Sequence, residues 1–331
     1  MSRSLLLFGL GITTAFLTGC ATEQPQWLTK APAAECLSEI TPQCLSALAS
    51  QRIGASAPSI ERDQTVLQLI AVSRAGALEL PDELTKEPSA MDKALYESLK
   101  VSAVDAGAAI RLMLDGKDTE AVEAAHAIAD KDARIFALLG IVSLSDGSMD
   151  EGALGKALNT LYGQDSKAYA RGLHGRLVGL LNKGDIERAL ALGRHMMKIH
   201  YDQSSQSFAP FASIAATYAA AGLKGDAHKL VRDAVIFIPV LGADDNSRFF
   251  SIAMKAADGH YPPPQDFHDL TSDQVRLDAY LQLAANFRRT GNKEMSARAL
   301  SDAVRFIQKS AFTLPREQAL AQIAVATIGV L

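Results

Sequence analysis

From about residue 59 onward, apolar residues recur at spacings of three and four, as in Val66, Leu67 and Ile70 and again in Leu173, Leu177, Leu180 and Leu181. Side chains so spaced fall on one face of a helix. Alternating runs of Val, Thr and Tyr, the mark of half-buried strands, are scarce, so the pattern predicts an all-α body. Proline-rich interruptions are few, and the clear one is HYPPPQDFHDL, residues 260–270. Glycines that end a helical stretch fall at Gly76, Gly116, Gly147, Gly184, Gly222, Gly259 and Gly291, with gaps of 40, 31, 37, 38, 37 and 32. A glycine just past a helix end supplies the left-handed backbone that turns the chain. A mean gap of about 36 residues predicts stacked helical hairpins.

The repeats share residues around the glycine. Before Gly222 stand Phe211, Ile214, Ala215 and Tyr218; at the same offsets before Gly291 stand Tyr280, Leu283, Ala284 and Phe287. Asp-Ala-Val follows each glycine eleven to thirteen residues on, which places Ala234 and Ala303 at matching positions, and Phe-Ile follows that. Large residues at the outer offsets fill the space inside a hairpin, and small ones let its two helices approach. This pattern resembles the tetratricopeptide repeat, in which large and small residues precede the turn and small residues follow it. Ala227 and Ala234 match the two small positions after the turn, and Ala189 and Ala121 match the first of them after Gly184 and Gly116. The resemblance is good over 204–238 and 272–310 and fair over 165–200 and 101–130. The period is uneven, and the proline that closes each repeat of the family has a counterpart only at Pro239. The resemblance implies a right-handed α–α superhelix, a solenoid whose concave groove holds an extended segment or a partner helix.

The N-terminus has the parts of an export signal. Arg3 is a small basic start, and Leu5 to Phe16 is an apolar run of about a dozen residues. A bilayer span needs about twenty. Leu17-Thr18-Gly19-Cys20 follows and resembles the lipobox of bacterial lipoproteins. That resemblance implies cleavage before Cys20, a diacylglycerol on its sulfur and three acyl chains in all (palmitate among the fatty acids expected). At about 0.8 kcal/mol per buried methylene, several chains anchor durably where one binds reversibly. Ala21 stands where an Asp tends to hold such proteins at the inner membrane, so the expected address is the outer membrane, facing the periplasm. The chain then divides into a signal peptide (1–19), a lipidated cysteine and tether (20–34), a short helical segment (35–58) and the repeat domain (59–331).

An exported chain matures under oxidising conditions, which makes a disulfide the expected state of Cys36 and Cys44; two unpaired buried cysteines are the alternative. Thr41 and Pro42 between them read as the cap and first residue of a helix. Residues 313–330 read as a last helix, starting near Thr313 and covering the hairpin of residues 272–310.

Net charge is −4 over 331 residues, and no stretch concentrates Lys and Arg, which argues against a nucleic-acid partner. None of the common catalytic or nucleotide-binding motifs occurs, so the chain is expected not to be an enzyme, to need no cofactor or metal, and to have no small-molecule substrate. His195 and His200, five apart on a helix, face different ways. His260, Asp266, His268 and Asp269 read as a polar surface loop. The expected function is that of a membrane-anchored scaffold or assembly factor, binding an envelope protein or peptide segment in its groove. The alternative is an envelope enzyme of the cell-wall hydrolase type with a helical body.

Overall fold

A computed structural model describes residues 40–145, 147–164, 166–202, 209–235, 243–309 and 311–330. The expected signal peptide, the tether and Cys36 lie outside the described residues. Those described form sixteen α-helices and no strand.

In chain order the helices are α1 (Pro42–Ala55), α2 (Ile60–Arg74), α3 (Asp82–Thr85), α4 (Lys93–Leu114), α5 (Asp118–Ala127), α6 (Lys131–Leu144), α7 (Glu151–Gln164) and α8 (Ser166–Asn182). Then follow α9 (Ile186–Asp202), α10 (Ala209–Ala220), α11 (Lys224–Val235), α12 (Ala243–Ala257), α13 (Pro264–His268), α14 (Asp273–Arg289), α15 (Lys293–Gln308) and α16 (Arg316–Ala326).

Every even-numbered helix from α4 to α14 is followed by one of the predicted glycines. With α2 included, all seven glycines have φ between 73° and 91°, and Gly329 after α16 adds an eighth at 80°. At Gly222 the glycine N–H donates to Ala219 O and the next N–H, of Leu223, reaches back to Tyr218 O at 2.9 Å. This double bond pattern satisfies carbonyls at the helix end and requires a left-handed residue at the turn. The same pair of bonds recurs at Gly76, Gly116, Gly184, Gly259 and Gly291.

The helices before these turns form an inner row. Contacts run from α2 to α4, α6, α8, α10, α12 and α14, and thinnest between α8 and α10. The row does not end there. The last helix, α16, packs on α14 and α15 and also on α1 and α2. The first and last helices therefore share one core, to which α1 and α2 bring Leu45, Leu48 and Leu69 and α16 brings Leu320 and Ile323. Because the glycine turns all follow inner-row helices, the C-terminal ends of that row gather at one end of the molecule.

Two polar devices repeat between hairpins. A carboxylate near the start of one inner helix accepts N–H groups ahead of the next. Asp63 does so for Ser89, Ala90 and Met91, Asp245 for Thr271, and Asp273 for Thr313. An arginine in the first turn of an inner helix donates to a carbonyl at the end of the preceding segment: Arg62 to Ile53, Arg134 to Ile128, Arg276 to Leu270 and Arg316 to Ile307. The last helix begins at Arg316 instead of near Thr313 because the Thr313 N–H and hydroxyl are both committed to Asp273.

Candidate functional site

The repeat-packing residues predicted from the sequence are brought together in the core. Phe211, Ile214, Ala215, Ala227, Ala234, Leu283, Phe287 and Ala303 are completely buried, and Tyr218 and Ala284 nearly so. Tyr280 is half-buried, and its ring stacks on Phe267 with 4.1 Å between centroids. Tyr218 crosses the thin part of the row. Its hydroxyl donates to Ala189 O at 3.2 Å, tying α10 to α9. Burial pushes that phenol up to about 12.

Cys44 is buried and disulfide-bonded. Thr41 caps α1 by accepting from the Cys44 N–H, and Pro42 is its first residue. The expected partner Cys36 and the lipidation residue Cys20 lie outside the described residues. No described helix is long and apolar enough to cross a membrane.

The Pro-rich loop and its neighbours are engaged in ion pairs. Asp266 pairs with Lys255, and Asp269 accepts from Gln265 and lies 3.7 Å from His268. Among the described residues no group of three metal-capable side chains converges. His200 is buried edge-on against Phe211, and His195 lies edge-on to the ring of Tyr169.

The inner side of the row is where the chain's own residues meet from far apart. Arg288, on the last turn of α14, donates from one guanidinium nitrogen to Ser143 O at the end of α6 and from the other to Ile328 O after α16. Ile328 is buried, and a Cβ on Gly329 would stand 2.5 Å from Leu144 and 3.5 Å from Leu114. The end of the described chain thus packs between the ends of α4, α6 and α14. The next residue, Arg289, borders a cavity of ≈ 260 Å³ formed by the C-terminal ends of α8, α10, α12 and α14. Asn182, Thr217, Asn286 and Thr290 supply its polar wall, and Val178, Leu181 and several alanines its apolar one. A second cavity of ≈ 200 Å³ lies where Gly147 meets Gly179, rimmed by Glu151 and Lys183, which pair with each other.

Sequence reading missed both arginines. Nothing in their spacing distinguishes them from surface charge at a helix C-terminus, where basic residues are favoured. The arginine of the first helical turn went unread too, although Arg62, Arg134 and Arg276 stand thirteen to fifteen residues before a predicted turn glycine, a spacing that could have found them.

No family model, no curated protein and no solved structure matches the chain.

Proposed function

We propose that this chain is a lipid-anchored periplasmic protein whose helical hairpins serve as an interaction scaffold, assembling or regulating an envelope complex. The observation that supports the reading is the series of glycine-linked helices that makes up most of the described residues. Its address rests on Leu17-Thr18-Gly19-Cys20 behind an apolar run. The winding we favour is the right-handed one of tetratricopeptide-like arrays, wound far enough for the two ends to touch. In a row closed by α16, a partner meets the outer helices more readily than a through-going groove. Tyr162 on α7, 69% exposed and edge-on to Tyr169, is the most open aromatic among the described residues.

Pull-down from detergent-solubilised membranes tests the scaffold role, with fatty-acid labelling of wild type and Cys20→Ala testing the address. We expect label and membrane retention only with Cys20 present, and one envelope protein recovered in repeated pull-downs. A Cys20→Ala chain that still takes up label and stays in the membrane would overturn the address. Release of muropeptides from purified sacculi would overturn the scaffold in favour of a hydrolase.

A further inference from the structure

Arg288 and Arg289 are adjacent in sequence and treated differently by the fold. Arg288 is spent on structure, since each terminal nitrogen caps a carbonyl at a helix end. Arg289 makes two hydrogen bonds, both from one nitrogen, to Ser213 Oγ at 2.7 Å and to Asn286 Oδ1 at 3.3 Å. A guanidinium carries five N–H donors in a fixed fork. The Nε and second terminal nitrogen of Arg289 therefore have no protein acceptor among the described residues, and no carboxylate there lies within ion-pair distance. Beside it, Asn286 is 4% exposed and its side-chain Nδ2 is buried without a partner. Both residues line the same ≈ 260 Å³ cavity.

The partly buried Arg289 thus presents a guanidinium edge without protein acceptors to the cavity, a ready pair of donors for an anion's oxygens. Burial first, and then the neighbouring Arg288 charge, push the Arg289 guanidinium down to about 9, still charged at neutral pH. Helix C-termini carry only fractional negative charge. Those around the cavity already have carbonyls bound in their turns, as at Gly222, Gly259 and Gly291. The opposite wall is apolar, with Val178, Leu181, Ala216 and Ala257. Exposed Ala220, Ala221 and Thr290 form the mouth.

We propose that this cavity is a binding site for a small organic carboxylate, its oxygens on the free edge of Arg289 and its apolar body against Val178 and Leu181. A planar two-oxygen anion matches the guanidinium fork. The volume lies below the range of about 300–1,000 Å³ typical of drug-sized ligands, so the body is a short branched chain or a single ring. The inference adds a small-molecule site to the scaffold reading and does not depend on it.

The test is calorimetric titration of the full chain, purified in non-ionic detergent, with isovalerate, benzoate, inorganic phosphate and chloride at matched ionic strength. We expect isovalerate or benzoate to bind and to raise the melting temperature, with phosphate and chloride inert. Arg289→Met should weaken binding at least about tenfold, the loss expected for a hydrogen-bonded charge pair. It should still fold, since it removes a charge without an ion partner. Asn286→Leu, which removes an acceptor that holds the Arg289 fork, should weaken binding without removing a charge, and Ala220→Trp should block the mouth from outside the core. Absence of binding by both carboxylates at millimolar concentration, tighter binding of phosphate, or carboxylate binding unchanged in Arg289→Met would each overturn the proposal.

Discussion

The backbone N–H of Ile40 donates to Ser301 Oγ at 2.9 Å, across 261 positions of the chain. Nearby Arg52 donates to the Gln308 side chain, also at 2.9 Å. These bonds stand where the first hairpin meets the last, with α16 wedged against both. Contacts of such high sequence separation form only after the intervening loop has lost its freedom, so the end elements depend on each other. Ile323, in the middle of α16, is completely buried. Ile323→Ala should cost about 2–5 kcal/mol, as for other large-to-small changes in a packed core. Deleting residues 313–331 should lower the melting temperature further and enlarge the radius of gyration by letting α1 and α2 part from α14 and α15. Chemical denaturation and small-angle scattering check the two. An unchanged melt after the deletion would show that the closing helix is not structural.

Gly193 is required by the tyrosine of the next hairpin. A Cβ there would stand 1.8 Å from the Tyr218 hydroxyl and 2.7 Å from Cζ of the same ring. Alanine is the better helix former, yet Gly193→Ala should destabilise by about 1–3 kcal/mol because overpacking outweighs propensity. Tyr218→Phe removes the nearer contact and leaves the farther. The double variant should therefore recover part of the loss, and the two effects should not add. Urea midpoints of the four proteins decide it, with additive effects counting against the contact.

The hairpin architecture was legible because its signals are local. A glycine after a helix, small residues such as Ala227 and Ala234, and aromatics such as Phe211 and Phe287 mark each repeat within some forty residues. The closure of the row was not legible. It depends on Ile40 meeting Ser301 and on Arg288 meeting Ser143, pairs that no periodicity connects. The start of α16 was misplaced for the same reason: Thr313 reads as a cap, but Asp273, forty positions earlier, takes its N–H and hydroxyl. Arg289 looks like a favourable surface charge at a helix end. Only the convergence of four helix ends makes it the wall of a cavity.

Asp63 locks the segment leading into α4. Its buried carboxylate accepts from Ser89 N and Oγ, both at 2.7 Å, and from Ala90 N and Met91 N, both at 2.8 Å. Burial alone would raise the carboxyl, but these bonds together outweigh it and hold it below 3.8. Asp63→Asn keeps one acceptor oxygen and turns an amide towards N–H groups, so a loss of about 3 kcal/mol at pH 7 is expected. With a lowered folded value, the stabilisation is present above the unfolded aspartate range and is lost as pH falls through the folded one. The gap between wild type and Asp63→Asn should therefore narrow below about pH 4. Urea midpoints at pH 7 and pH 3 measure it. A gap of constant size would mean the charge contributes nothing.

Alkaline pH should loosen the protein through its buried phenols. Burial is the first cause that pushes Tyr96, Tyr218 and Tyr280 up to about 12. Tyr261 is raised further, by burial and by its hydrogen bond to Asp302. In the unfolded chain all four ionise near pH 10. The folded state then holds more protons than the unfolded one from about pH 10 upwards, so stability is complete below that range and falls as pH rises towards the folded values. Arg289 acts in the opposite sense. Its lowered value means that the folded protein binds fewer protons than the unfolded chain above about 9, which favours folding as pH rises. Arg288 is lowered by burial as well, so two arginines stand against four tyrosines, and a net loss is expected. For Tyr96, completely buried, the rise to about 12 corresponds to roughly 2–3 kcal/mol by pH 12. Tyrosinate absorbance should rise together with the loss of helical circular dichroism, in one step above pH 10. Tyr96→Phe should move that step to higher pH. Phenol ionisation well ahead of unfolding, with the helix signal intact, would show that these rings reach solvent without the fold opening.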